Sequence, residues 1–493
     1  MNLVVTLVNQ IVLAYLFGAG ASMDAFLACG AVPFVVLNLA IGDLGYVLVP
    51  LLMEYEKKDK VTDAVNSSFS AISLLSLVVT LLGILGHRWV LRMTTASNMP
   101  AQTFDLAVSI APLMWVVIGL TIMGSYLTGI HYYRREFTQP SVTLAFPYLG
   151  MIVGGLLGAR QIGILAVVLG WVAGTFLRDV VLYITLCTPR ARLTLKLFHP
   201  ATWELLKTLP PLGVSLLPFT ALPMIDVYWA SRLPVGSISY LGYSNRIVIA
   251  LASIVVQGLS VVLFPDMSED IAKGDFEAFR LKVSEAIKVI FLAIVPLAIF
   301  VAIVRMPVLA VVLQRGKFSV ASSEGVAKVL PLYLFGVVWM AMMNIVIRSY
   351  YALQEYLTPA KIGTVALILY IVLPSVLINR FSYLSIGIAY SVFWFVMFFL
   401  QGHFLGKKVG PILNCRLLEF FGKVLLSSLF AAGLLAATGR VLGWEMKSTV
   451  ALVAQGAGSL VIFVAISYFV FRLPQYNKLL EVIRSKLASQ EAR

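Results

Sequence analysis

The sequence predicts an all-α polytopic membrane protein with about 14 transmembrane helices. Three observations carry that prediction. The chain of 493 residues is 60% hydrophobic and only 12% charged, about half the charged share of a soluble domain. Its apolar residues fall in runs near the roughly 20 residues that a helix needs to cross hydrocarbon. The runs lack the alternation of a closed barrel, and a helix satisfies its own backbone in lipid. This composition excludes a soluble enzyme, a disordered chain and a disulfide scaffold.

Taken in order, the expected spans are 1–19, 25–52, 64–86, 104–130, 141–159, 162–186, 208–231, 238–265, 283–305, 325–352, 360–379, 383–405, 419–437 and 449–472. Met1–Leu16 lacks a charged leader and a small-residue cleavage site, so it reads as a first helix. It carries the polar Asn9 and Gln10. Gly150, Gly154 and Gly158 give the fifth span a small-residue packing face. Pro210, Pro211, Pro218 and Pro223 crowd the seventh. Proline removes a backbone donor, so this span is expected to kink, or to break and expose carbonyls near Asp226 to a cavity or cation. Gln475–Arg493 reads as an amphipathic, solvated tail.

Basic residues orient the chain. With the N-terminus inside, 22 of the 37 Lys and Arg fall in inside segments, 10 in outside segments and 5 within spans. That bias places both termini in the cytoplasm. It also accounts for the net charge of +14 without a nucleic-acid partner. Cys29, Cys187 and Cys415 are far apart and the four histidines are scattered, so neither a disulfide framework nor a metal or cofactor is expected. There is no P-loop, GxSxG or HExxH, and Glu324 is the only acid at 305–325 in one of the longest outside loops. The chain reads as a transporter rather than an enzyme.

A shift of 215 residues lays Leu48-Val49-Pro50 on Leu263-Phe264-Pro265, Glu54 on Glu269 and Ser22 on Ser237. Chance likeness of two apolar stretches is one reading. The other is a parallel repeat, an architecture of secondary transporters. The expected division is an N-lobe of six helices at 1–190, a C-lobe of six at 191–410, two further helices at 411–475 and a cytoplasmic tail at 476–493.

A charge at the bilayer centre costs about 3 kcal/mol on insertion scales, so such residues usually face a partner or a cavity. Asp43, Asp226, Arg246 and Arg348 are the candidates. Arg246 is followed by almost twenty uncharged residues, too deep to snorkel, and is expected to face a cavity. Arg348 lies near a span end and either snorkels or does the same. Lys288 and Lys328 snorkel, and Arg178 pairs locally with Asp179. Asp226 and Asp43 are candidates to pair with Arg246, to serve a substrate or ion, or to do both.

Four stretches resemble a known family. Phe17-Gly18-Ala19-Gly20 with Asp24-Ala25-Phe26 looks like the first hairpin of the MurJ/MviN lipid II flippases. Tyr243-Ser244-Asn245-Arg246, with Leu263-Phe264-Pro265 and Ala272-Lys273-Gly274-Asp275, is similar to the family's eighth helix and following loop. Leu313-Gln314-Arg315-Gly316-Lys317-Phe318 resembles its outside loop after helix nine. Arg348-Ser349-Tyr350-Tyr351-Ala352-Leu353 with Thr358-Pro359-Ala360-Lys361-Ile362 resembles the end of helix ten.

The resemblance implies the MOP flippase fold, with two six-helix lobes in parallel repeat plus two C-terminal helices. It implies a central cavity for the head of an undecaprenyl-pyrophosphate-linked glycan, whose tail stays in the bilayer. Arg246 matches a cavity arginine, Asp24 an acid of the outer gate, and Asp43 lies near an acidic position of helix two. Arg348 joins them as a candidate substrate-binding residue, and Asp226 is the candidate for ion coupling. The family's arginines along helices one and two are replaced by Leu3, Asn9 and Leu37-Asn38, and its helix-eleven ion ligands are not evident in Tyr370–Leu377.

The expected function is therefore a flippase for lipid II or a similar precursor in the bacterial cytoplasmic membrane. It works by alternating access, as a monomer, without a cofactor, coupled to membrane potential or a monovalent cation. The alternatives are an exporter of another undecaprenyl-linked polysaccharide unit, a MATE-like small-molecule antiporter, and a membrane scaffold.

Overall fold

The computed structural model describes residues 2–41, 44–95, 99–186, 191–196, 199–353, 355, 357–441 and 449–470. Among these every regular element is a helix. The first are α1 (Asn2–Phe17), α2 (Ala21–Ile41), α3 (Leu44–Glu56), α4 (Val61–Thr94) and α5 (Ala101–Tyr133). Next come α6 (Thr138–Thr143), α7 (Phe146–Ile162), α8 (Leu165–Thr185), α9 (Pro200–Thr220) and α10 (Leu222–Ala230). They are followed by α11 (Ser237–Ala272), α12 (Phe276–Ile303), α13 (Arg305–Val312) and α14 (Val320–Ala352). The last are α15 (Leu357–Phe381), α16 (Leu384–Val409), α17 (Cys415–Val441) and α18 (Thr449–Ala465), which runs into a π-helical turn at Ile466–Val470.

Each expected span has helix over it. Nine helices among the described residues are long and apolar enough to cross a membrane. The 33 residues of α5 reach about 50 Å at 1.5 Å per residue, more than a hydrocarbon core of about 30 Å. The seventh span bends, one of the two outcomes its prolines predict. α9 stays helical through 210–211 and ends at Thr220, and the chain bends at Ala221. α10 then starts with Pro223 in its first turn, where a missing N–H costs nothing.

The chain forms two compact units. One comprises Met1–Tyr243, Leu313–Val326 and Gly363–Ile386; the other comprises Ser244–Val312, Ala327–Ile362 and Gly387–Arg493. In the first, Leu48 and Leu52 of α3, Val65 and Phe69 of α4, Ile122 and Tyr126 of α5, Leu182 of α8 and Leu205 of α9 share one apolar core. The Tyr126 hydroxyl donates to Val65 O at 2.9 Å, which satisfies the one polar group of that ring. α7 and α8 pack backbone to backbone. A methyl at Gly150 would lie 2.1 Å from Gly170 O, and one at Gly154 would lie 2.4 Å from Ala166 O. The glycine face is thus a helix-packing face.

In the second unit α12 lies on α17 through Phe291 and Phe421, stacked at 4.0 Å. Trp339 of α14 meets Phe395, Phe398 and Phe399 of α16. The Ser391 hydroxyl of α16 donates to Leu332 O of α14 at 2.5 Å.

Candidate functional site

The start of α11 is built by a tight turn. Gly236 has φ +98°, which a side chain strains to adopt, and a methyl there would lie 3.1 Å from Ala19 O. Ser237 Oγ donates back to Pro234 O at 2.7 Å. The first N–H groups of any helix have no partner within it. Here Asp24, in the first turn of α2 and 3% exposed, supplies one. Its Oδ2 accepts from Gly236 N at 2.6 Å and its Oδ1 from Ser239 N at 2.8 Å, with the Ser239 hydroxyl as a third donor. A carboxylate is the favoured partner for this positive helix end.

Three of the family-like stretches meet beside this contact. The Tyr243 hydroxyl donates to Gly18 O at 3.0 Å. Phe318 stands edge-on to the Tyr243 ring at 5.2 Å. Lys317 N donates to Tyr15 O at 2.9 Å, which satisfies a carbonyl at the end of α1. Gly18 has φ +64°, and a methyl there would lie 2.4 Å from Lys317 O. The Phe17–Gly20 turn, the start of α11 and the 313–318 loop are one connected piece.

Asp226 is half-buried on α10, four residues past Leu222. The Tyr370 hydroxyl of α15 donates to its Oδ1. Tyr370 belongs to the stretch in which no polar ligand is evident from sequence, and a tyrosine in an apolar run gives no signal of that role.

Arg246 is half-buried on α11, nine residues past Ser237, or about 14 Å along the helix. Arg348 is half-buried on α14, four residues before Ala352. The helix end that follows Arg348 is tied to α16. The Tyr350 hydroxyl donates to Gln401 O at 2.9 Å, and Gln401 Nε2 donates to Pro359 O at 3.3 Å. In the following loop Glu355 pairs with Lys408 and accepts from the Thr358 hydroxyl. The Lys408 hydrogen bond, then that of Thr358, holds the Glu355 carboxyl below its ordinary range.

Asp43 lies outside the described residues. Asn9, at a position where the family resemblance leads one to expect arginine, is buried against α7 with Nδ2 on Met151 Sδ at 3.7 Å. The expected local pair of Arg178 with Asp179 is electrostatic and not hydrogen-bonded. Arg178 Nη2 donates to Thr128 Oγ1 and both Asp179 oxygens lack a donor, because neighbours on a helix point in different directions.

An all-α membrane protein with a bent span and charges set within its apolar helices has the build of a membrane transporter. A solved structure titled as a lipid II flippase MurJ in an inward closed conformation matches at TM-score 0.82, with 18% identity, over 96% of this chain and 97% of that one. An inward-facing MATE family multidrug transporter of the MOP superfamily matches at TM-score 0.70, with 13% identity, over 83% of this chain and 95% of that one. The family model described as "Lipid II flippase MurJ" matches residues 13–455. The chain belongs to that family. Among its relatives, the lipid II flippase MurJ of Burkholderia cenocepacia is 25% identical over 380 residues, 73% of each chain. A probable lipid II flippase MurJ of Haemophilus influenzae is 26% identical over 460 residues, covering 86% of this chain and 88% of its own.

Proposed function

We propose that this protein flips lipid II across the bacterial cytoplasmic membrane by alternating access, with both termini in the cytoplasm. The observation that carries the reading is the family match over residues 13–455. A diphosphate does not cross hydrocarbon unaided, since an isolated buried charge carries a very large desolvation cost. Arg246 replaces water around it with charge-assisted, bidentate hydrogen bonds, with Arg348 as the second cation. Asp24 holds the outer end shut through the start of α11 and releases it when that end opens, and Asp43 positions the charges nearby. The half-buried placement of Arg246 within a long apolar helix supports its part in this reading.

The protein works as a monomer on a lipid-linked glycan, with no cofactor and no nucleic acid. A negative-inside potential helps return an emptied positive cavity inward, by about 2.3 kcal/mol per charge per 100 mV. Asp226, with Tyr370 on it, is the candidate ion-coupling group.

The test is translocation by the purified chain in lipid vesicles, with lipid II beside an undecaprenyl-pyrophosphate glycan that has no peptide. Lipid II is expected to reach the opposite leaflet faster than in protein-free vesicles and faster than the other lipid. Movement of the peptide-free lipid alone would assign the protein a different glycan.

A further inference from the structure

One carboxyl inside the first unit has no part in the transport reading. Asp179 of α8 is 7% exposed, and neither of its oxygens has a hydrogen-bond donor. α8 is itself long and apolar enough to span the membrane. The facing position on α5 is Gly124, where a methyl would lie 2.2 Å from Asp179 Oδ1 and 3.3 Å from Arg178 Cζ. The glycine makes room for the carboxyl and offers it no side-chain donor.

The charged group beside it is Arg178, which acts on the carboxyl through space without donating to it, and the hydrogen bonds of the surrounding groups go elsewhere. On α8, Arg178 is 6% exposed, donates to Thr128 Oγ1 at 3.2 Å and leaves Nε without an acceptor. Tyr183 donates to Ala191 O at 3.2 Å. From α5, Tyr132 acts on Arg178 only through space, and the His131 ring nitrogens face Glu136 Oε2 at 2.9 Å and Leu182 O at 3.0 Å. From α7, Tyr148 acts on Arg178 only through space, and α6 has no titratable side chain. α2 reaches α8 through Phe26 and Phe34 on Trp171; its Asp24 is held at α11 and its Cys29 Sγ donates to Phe26 O at 3.2 Å.

An ionised carboxylate in such a place is left without donors, which buried charges do not tolerate. A metal cation needs several oxygen ligands. The side-chain oxygen hydrogen-bonded beside it, Thr128 Oγ1, already accepts from Arg178, whose positive charge repels a second cation. A proton needs only the carboxyl itself. We propose that Asp179 is a proton-binding site, filled in this conformation, and that loss of its proton loosens α5 from α8. Binding and closure are reciprocal: packing α5 on α8 takes up the proton, and parting them in water releases it. The site is independent of the lipid II reading and of Arg246.

The test is infrared spectroscopy of the full-length protein in lipid nanodiscs, with melting curves across pH. The carbonyl stretch of a protonated carboxylic acid is expected at neutral pH in the wild type. It is expected to vanish in Asp179→Asn and to shift in Asp179→Glu, which decides the matter should the Asn variant not accumulate. Asp179→Asn, the neutral isostere, should melt with the wild type at neutral pH and above it at alkaline pH, where the wild type gives up its proton. Absence of the band from the wild type at neutral pH overturns the proposal. So does a melting temperature lowered equally by Asp179→Asn, Arg178→Gln and the double variant, the signature of an ion pair.

Discussion

Asp24 meets the positive end of α11 with both carboxylate oxygens, so its charge matters more than its shape. Asp24→Asn keeps the volume but turns an acceptor into a donor that faces an N–H group. Hydrogen bonds to charged groups contribute about 1.5–3 kcal/mol each, and a loss on the order of 2 kcal/mol is expected in this contact. The variant should flip lipid II more slowly while its affinity for lipid II stays near wild type. Equal rates would leave the contact a static cap. Charges in apolar spans stand out in a sequence, which is why Asp226, Arg246 and Arg348 are candidates there, whereas Asp24, in the turn between two spans, is reached only through the family resemblance. Their partners are not legible there. Gly236 contributes a backbone N–H, which no composition reports, and Tyr370 contributes a hydroxyl on an otherwise apolar ring.

At the scale of elements, prolines and glycines carry the readable signals. Pro223 opens α10, and the glycines of α7 meet Gly170 and Gly174 of α8. Bonds between distant elements are harder to read, since they depend on which helix ends meet. The Glu355–Lys408 pair joins the loop after α14 to the end of α16 across 53 residues. Glu355 is held below its ordinary range, so its stabilisation is present above the ordinary glutamate pKa and is lost as pH falls through the lowered value. Lys408 is 45% exposed on its side chain, and solvent screens the pair; a contribution of about 0.5 kcal/mol is expected. Glu355→Gln should therefore melt slightly below the wild type at neutral pH, and the two should converge in acid. A gap that stays constant with pH would show that the charge is not responsible.

At the scale of the molecule, the fold class follows from composition, because hydrocarbon admits few backbone solutions. The proposed orientation rests on basic residues and is open to a direct check. In a Cys187→Ser, Cys415→Ser background, with Cys29 buried, Ser319→Cys and Glu277→Cys both lie at exposed positions. A membrane-impermeant maleimide should label Ser319→Cys on intact cells and Glu277→Cys only after permeabilisation; the reverse would invert the topology. The central claim is that Arg246 clamps the pyrophosphate of lipid II. The measurement is lipid II on the inner leaflet of cells that depend on this protein, at matched expression. Arg246→Ala should abolish export and accumulate lipid II inside, and Arg246→Lys should export part of it, since a point charge keeps the attraction and loses the fork. Export by Arg246→Ala at the wild-type rate would contradict the account.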